Sequence, residues 1–184
     1  MDYALEVEPL DLGADVKSVG LELFEPQTRE PARGPAAARI WAAILPALAA
    51  AEPWALDFFS HLGRVREFCS LHGLAFREAA RRCLVVAPPD SASLAALFAR
   101  FAGETFGARA GGPLAAGDPA LEGDLARRGV DAYHSVFSNY SFCAVCDLKN
   151  GFLTLLTGRL WSGEVLRRIR PALDGLPVTL FRPH

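Results

Sequence analysis

The sequence predicts an α+β fold, in which one domain packs a mostly antiparallel sheet against about five helices. Three observations predict this class: apolar and polar residues alternate near the N-terminus, an Asn-Gly pair at 150–151 separates two apolar runs, and apolar residues recur at helical spacing in between. A chain of 184 residues with 51% hydrophobic residues is long enough for one sizeable core and short for two. We therefore expect a single domain over residues 1–184.

The first quarter of the chain is predicted to form two neighbouring strands followed by a helix. Apolar and acidic residues alternate over residues 3–8, and the same period of two returns over residues 19–24. A helix is expected to begin at Pro35, because proline is favoured in the first helical turn. Pro46 is expected to kink that helix or end it.

The middle of the chain is predicted to be mainly helical. One helix is expected over residues 53–72, where apolar residues recur every three or four positions. A short helix over residues 76–82 and a brief strand over residues 83–87 are expected next. A further helix, capped near Asp90, is expected over residues 91–106.

The last part of the chain is predicted to complete the sheet. Residues 107–118 are rich in glycine and alanine, which is typical of a flexible connector. A short polar helix is expected at Pro119–Arg128, followed by a hairpin over residues 140–160. Ser162 is predicted to cap another helix, and residues 178–182 are predicted to form the last strand.

The motif nearest to a chemical site is Cys143-Ala-Val-Cys146. A two-residue turn at 150–151 would pair Cys146 with Leu155 and put the two thiols on opposite faces of the hairpin. Trp161 is expected on the same core face as Cys146. Residues three apart in a strand lie roughly 10 Å apart, beyond the roughly 7 Å that a disulfide can bridge. The sequence therefore predicts free cysteines that pack as small apolar side chains.

A metal site is the alternative use of these cysteines. The spacing of Cys69 and His72 suits two ligands one helical turn apart, so Cys69, His72, Cys143 and Cys146 are candidate zinc ligands. The corresponding alternative function is a small cytosolic metal-binding protein, or a cysteine- and histidine-dependent enzyme or regulator that also uses His134. No nucleotide-binding glycine loop, triad signature or pair of acid and base carboxylates is present, so no catalytic or cofactor-binding residue is assigned.

Composition argues against two classes of partner. A net charge of −2 gives no electrostatic reason to expect nucleic acid. The apolar segment at residues 37–51 contains Arg39 and Pro46 and is shorter than the roughly 20 residues of a membrane span, so no membrane partner is expected. Four cysteines without a dense framework, and an N-terminal segment without the pattern of a signal peptide, predict a cytoplasmic protein.

Two groups of residues are candidates for binding a partner protein. Leu94, Phe98 and Phe101 form a wide apolar helix surface, which suits either a central helix or one paired with another chain.

The second group is cationic. Arg167 and Arg170 lie three apart on the last helix, and with Arg159 or Arg182 they could clamp a carboxylate or phosphate. The alternative is a solvated helix face whose cations lie near the favourable C-terminal end.

The C-terminal part of the chain carries a resemblance to a known family. In size, in class and in the hairpin, helix and strand around FCAVCDLKNGFL and GEVLRRIRPAL, the chain resembles the small partner subunit of methanobactin-type peptide-modifying oxidases. The resemblance implies a non-catalytic member of a heterodimer that recognises a precursor peptide, while an iron-dependent partner enzyme performs the oxidation. It implies no cofactor in this chain, and it assigns no role to any residue. An open sheet edge, which can accept an added peptide strand, would suit such a role.

Overall fold

The computed structural model describes residues 2–11, 17–79, 81–86, 90–112, 114, 119–157 and 160–181. Within these ranges nine strands form one sheet in the order β4-β5-β3-β6-β7-β8-β2-β1-β9. The strands are β1 (Tyr3–Asp11), β2 (Lys17–Phe24), β3 (Trp54–Phe58), β4 (Phe76–Ala79), β5 (Arg82–Val86), β6 (Thr105–Ala110), β7 (Phe142–Asp147), β8 (Phe152–Leu156) and β9 (Val178–Phe181). All neighbours are antiparallel except β1 and β9, so the mostly antiparallel sheet is confirmed.

Helices cover both faces of this sheet. In the described ranges they are α1 (Gly34–Ala49), α2 (Leu62–Leu71), α3 (Ser91–Phe101), α4 (Pro119–Arg128), the single-turn α5 (Tyr133–Val136) and α6 (Ser162–Ile169). α1, α2, α3 and α6 contribute to the main core on one face. α4 and α5 contribute to a smaller second core on the other face. The single α+β domain predicted from the sequence is therefore confirmed.

Two predicted parts of the sheet are present with the expected partners. β1 and β2 pair along their length, from Ala4 opposite Phe24 to Asp11 opposite Lys17. β7 and β8 form the predicted hairpin, and β9 adds to β1 as the C-terminal strand. β1 and β2 were recognisable because their apolar residues alternate with a period of two, and the hairpin was recognisable because an Asn-Gly pair separates two apolar runs.

The register of the hairpin differs from the prediction. Leu148–Asn150 form a 3-10 turn and Gly151 has φ of +68°, so the loop is longer than two residues. Cys146 therefore pairs with Leu153 and not with Leu155. The shift of two residues leaves the side chains of β7 and β8 on the faces that were predicted, because side chains in a strand alternate with a period of two. Leu160, which was predicted on the face of Cys143, instead belongs to the main core, because the strand has ended before it.

The predicted helix over residues 53–72 is wrong in its first part. Residues 54–58 form β3, and α2 begins only at Leu62, after His61 in a left-handed conformation with φ of +49°. Trp54 and Phe58 lie four apart, a spacing that suits both one side of a helix and one face of a strand. All five residues of β3 are buried, because both faces of the sheet are covered there.

Two other segments of the middle region also differ. The short helix expected at residues 76–82 is instead β4 followed by the start of β5, with Arg81 at φ of +62° between them. The helix expected to reach residue 106 ends at Phe101, and β6 follows. Residues 107–110, which were assigned to a connector, thus lie in the middle of the sheet. Three of these four residues, Gly107, Ala108 and Ala110, are small and carry little local preference, and pairing with β3 and β7 determines their conformation.

The first helix tolerates its internal proline. Pro46 lies inside α1, and the helix ends one turn later at Ala49, where the Ala50 N–H bonds the Pro46 carbonyl. None of the described helices combines the length and apolar character needed to cross a bilayer.

Candidate functional site

The four cysteines are free and buried. Cys146 lies in the main core and Cys143 in the second core, so the two thiols of the motif are on opposite faces, as predicted. Burial raises the pKa of Cys69 to about 11 and that of Cys83 to about 12, and it raises those of Cys143 and Cys146 further. All four thiols are therefore protonated near neutral pH and are poor nucleophiles.

The candidate zinc ligands are not brought together. In the described part of the chain, no three histidine, cysteine or acidic side chains are grouped so that they could hold a metal ion. Cys69 is buried in the main core, whereas His72 is exposed and stacks on Phe68 with ring centroids 4.1 Å apart. Cys143 lies on the opposite face of the sheet, and His134 is exposed on α5.

A buried polar network, which sequence reasoning missed, lies beneath α5 on the second face of the sheet. Asp57 of β3 forms an ion pair with Arg82 of β5, and its Oδ2 lies 2.8 Å from Nε of Arg109 on β6. That Nε–H is not aligned for a hydrogen bond, so its contact with Asp57 is mainly electrostatic. Tyr133 donates to Oδ2 of Asp57 at 2.6 Å, and Nη1 of Arg109 donates to the Tyr140 hydroxyl at 2.7 Å.

Strand register places this network. Asp57 lies directly opposite Gly107 on β6, with Arg109 two residues along on the same face. Gly107 is needed because Tyr133 lies directly over it: a Cβ there would come within 2.5 Å of Tyr133 Cε2. The sequence signal for this arrangement was a single charged residue, Asp57 or Arg109, inside each of two apolar or small-residue runs.

Electrostatics fixes the protonation of the network. Burial, together with the Asp57 charge, raises the pKa of Tyr133 well above its usual value, so its hydroxyl remains a donor. Burial alone would lower the pKa of Arg109, but the Asp57 carboxylate acts together with Tyr133 and Tyr140 to outweigh that effect, so the pKa is raised. The charged side chains are at most 2% exposed, so the network has no access for a substrate and acts as a structural element.

An open groove lies at the other end of the molecule. It measures about 640 Å³, and we call it the α6–β1 groove. Its described lining consists of Val7, Pro9, Ser162, Gly163, Leu166, Arg167, Arg170 and Pro171. The predicted partner-binding residues Arg167, on α6, and Arg170, directly after it, therefore share one concave surface, next to the point where β9 stops pairing with β1.

An exposed tryptophan stands beside this groove. Trp161 is 63% exposed, so its predicted place on the core face is wrong. The ring packs over Gly163, since a Cβ at that position would come within 3.0 Å of the indole Nε1. An exposed aromatic ring held in place at the rim of a groove is typical of a binding surface.

The cations of the groove differ in their pairing. Arg167 donates two hydrogen bonds to Glu164, at 2.7 and 2.8 Å. Together with Arg168 it lowers the pKa of Glu164 to about 2. Arg170 has no acidic group within 4 Å among the described residues, and no described lining residue is acidic. Arg159 and Arg182 lie outside the described residues.

The other predicted interface is wrong. Leu94, Phe98 and Phe101 are each at most 1% exposed and belong to the main core. Phe98 stacks on Phe106 with ring centroids 5.5 Å apart. These side chains therefore stabilise the fold of the chain itself and are inaccessible to a partner.

Comparisons of this chain with models of protein families, with curated proteins and with solved structures find no match in any of the three.

Proposed function

We propose that the chain is a non-catalytic binding subunit that holds an acidic, extended segment of a partner protein or precursor peptide in the α6–β1 groove. The observation that carries this proposal is the combination of Trp161 at the rim with Arg167 and Arg170 on the wall. Tryptophan and arginine are the residue types that most often dominate binding energy at protein interfaces. The cationic lining makes an acidic segment the complementary ligand.

The neighbouring sheet edge adds main-chain groups to this surface. β9 pairs with β1 on one side, and no described strand covers its other side. An extended peptide at that side would gain main-chain hydrogen bonds, while its side chains reached the groove. Proline has no N–H to donate, so it is tolerated in a strand where its nitrogen faces away from the paired neighbour. The nitrogen of Pro9 lies on the same side of β1 as the Tyr3 N–H, which donates to the Pro177 carbonyl, and therefore faces away from β2.

The class of partner comes from the resemblance. As the small subunit of a heterodimer, the chain would present a precursor peptide to an iron-dependent, peptide-modifying enzyme in the cytoplasm. The iron would belong to the partner, and this chain would need no cofactor. The burial and raised pKa of the four thiols count against the cysteine-dependent form of the alternative function.

Peptide selection tests the site. A random peptide library would be selected on the immobilised full chain, and the enriched peptides would be measured against Trp161→Ala and Arg170→Glu variants. We expect enriched peptides to be acidic and to bind each variant at least about tenfold more weakly. Leu71→Ala and Arg64→Glu are matched controls, since Leu71 is the most exposed large apolar residue described and Arg64 is an exposed arginine of α2. Equal losses in the controls, or enrichment without acidic residues, would contradict the proposal.

A second experiment tests the class of partner. The tagged chain would be purified from its native host. The molar ratio of iron to the chain would then be measured in the co-purified fraction. We expect an iron-containing enzyme at equal stoichiometry, and its loss when Trp161→Ala and Arg170→Glu are combined. Retention of the enzyme by the double variant would place the interface elsewhere, and a purified chain without an iron protein would overturn the assigned partner class.

A further inference from the structure

A second cavity lies between α1, α3 and the loop of the β7–β8 hairpin. It measures about 250 Å³ and lies apart from the α6–β1 groove, with which it shares no lining residue. We propose that this cavity binds a small apolar molecule that carries a single carboxylate.

The wall of the cavity is apolar. Ala37, Ala38 and Trp41 contribute from α1, and Phe98, from α3, contributes together with Leu148 of the hairpin loop. Small side chains on α1 leave room in front of the two aromatic rings. The volume is below the about 300–1,000 Å³ of sites for drug-sized ligands, so the occupant is small.

The charged groups that line the cavity are cationic. Arg33 and Lys149 are both exposed, and neither has an acidic group within 4 Å in the ranges that the structure covers. No acidic side chain is among the described lining residues. Two free cations next to an apolar interior match a molecule with an apolar body and an anionic end.

A buried donor adds to this match. The indole of Trp41 forms part of the wall, and its Nε1 is buried without an acceptor among the described residues. A buried N–H that lacks an acceptor carries an energetic penalty. In the proposed complex, a carboxylate oxygen accepts from this N–H, and the other oxygen faces Arg33 and Lys149.

Octanoate is a suitable probe, with 1-octanol as its uncharged counterpart. Binding to the full chain would be measured by calorimetry and by tryptophan fluorescence in a Trp161→Phe background, which removes the exposed indole. We expect saturable binding of octanoate, at least about tenfold weaker binding of 1-octanol, and similar losses in Arg33→Ala and Lys149→Ala. Both substitutions are on the surface and leave the core intact.

Three further variants separate this site from alternatives. Ala102→Leu fills the cavity and should abolish binding. Trp41→Phe keeps an aromatic side chain but removes the indole N–H, so it should weaken binding. Arg170→Ala, in the α6–β1 groove, should leave octanoate binding unchanged. Thermal unfolding would confirm that each variant folds. Equal binding of octanoate and 1-octanol, no binding of either, or binding that survives Ala102→Leu would each overturn the proposal without affecting the one for the groove.

Discussion

The buried network and the α6–β1 groove both contain arginines, but in opposite settings. Arg109 is 2% exposed and is fixed between Asp57 and Tyr140, whereas Arg167 is 72% exposed and pairs, among the described residues, only with its helix neighbour Glu164. A charge in the interior is stabilised only by partners that the fold already provides. A charge at the surface retains its hydration and can exchange its partner, so it can serve binding.

This difference predicts which property each region controls. Substitutions in the network should change the free energy of unfolding, and substitutions in the groove should change binding while the fold remains intact.

The largest effect is expected for Asp57→Ala. The substitution removes the carboxylate that Arg82, Arg109 and Tyr133 all contact, and breaking a buried ion pair typically costs about 3–5 kcal/mol. Urea unfolding followed by circular dichroism would measure the loss. Glu78→Ala is the matched control, because the Arg66–Glu78 pair is exposed and should contribute less than about 1 kcal/mol. A loss below 1 kcal/mol for Asp57→Ala would show that the network is not structural.

A loss of about 1–3 kcal/mol in the free energy of unfolding is expected for Gly107→Ala, because the added methyl group collides with the Tyr133 ring. The loss should shrink in a Tyr133→Ala background, which removes the ring, and a double-mutant cycle measures that coupling. Gly123→Ala, on α4, is the control. A Cβ there meets no atom within 4 Å, so the substitution should be neutral or stabilise the chain by up to about 1 kcal/mol. Equal losses in the free energy of unfolding at the two glycines would show that the close approach of Tyr133 does not require a glycine at position 107.

Trp161→Ala should separate binding from stability. The side chain is exposed, so the free energy of unfolding should change by less than about 0.5 kcal/mol. Binding of a selected peptide should weaken by about 2 kcal/mol, which is roughly thirtyfold. Calorimetry and urea unfolding on the same preparation would measure both. A loss of stability without a loss of binding would show that Trp161 serves the fold and not peptide binding.

The smallest effect concerns the pH dependence of Glu164. Hydrogen bonds from Arg167 and Arg168 lower its pKa to about 2, so the stabilisation from these contacts is complete above its ordinary pKa of 4.5 and is lost as the pH falls towards 2. Carboxyl carbon shifts in an NMR pH titration would report the pKa. Arg167→Ala should move it back towards 4.5, and an unshifted carboxyl in the native chain would contradict the described contacts.

Much of the fold was predictable because alternation and helical spacing directly reflect which faces are buried. The pairing of β1 with β2, the β7–β8 hairpin and the buried face of α6 follow from residues such as Leu5, Cys146 and Val165. β3 and β6 were missed for a physical reason. Both are central strands covered on both faces, so their sequences show no simple alternation, and neighbouring strands determine their conformation.

The candidate site was predictable only in part. Arg167 and Arg170 were recognised as a cationic pair, but nothing local indicated that β1 would form the facing wall of their groove. Trp161 was predicted on the core face because the alternation of β8 was continued as far as residue 161. The strand ends at Leu156, so the alternation does not apply to Trp161. Asp57, Arg109 and Tyr133 meet across long sequence separations, and no short motif encodes that contact.

The central claim is that partner binding occurs at the α6–β1 groove. NMR chemical-shift mapping of a selected peptide on the isotopically labelled full chain tests it most directly. We predict that the perturbed amides cluster at residues 7–8 and 161–170, with those of Asp57, Arg109 and Tyr133 unchanged. Perturbations centred on the buried network or the cysteines, with residues 161–170 unaffected, would contradict the claim.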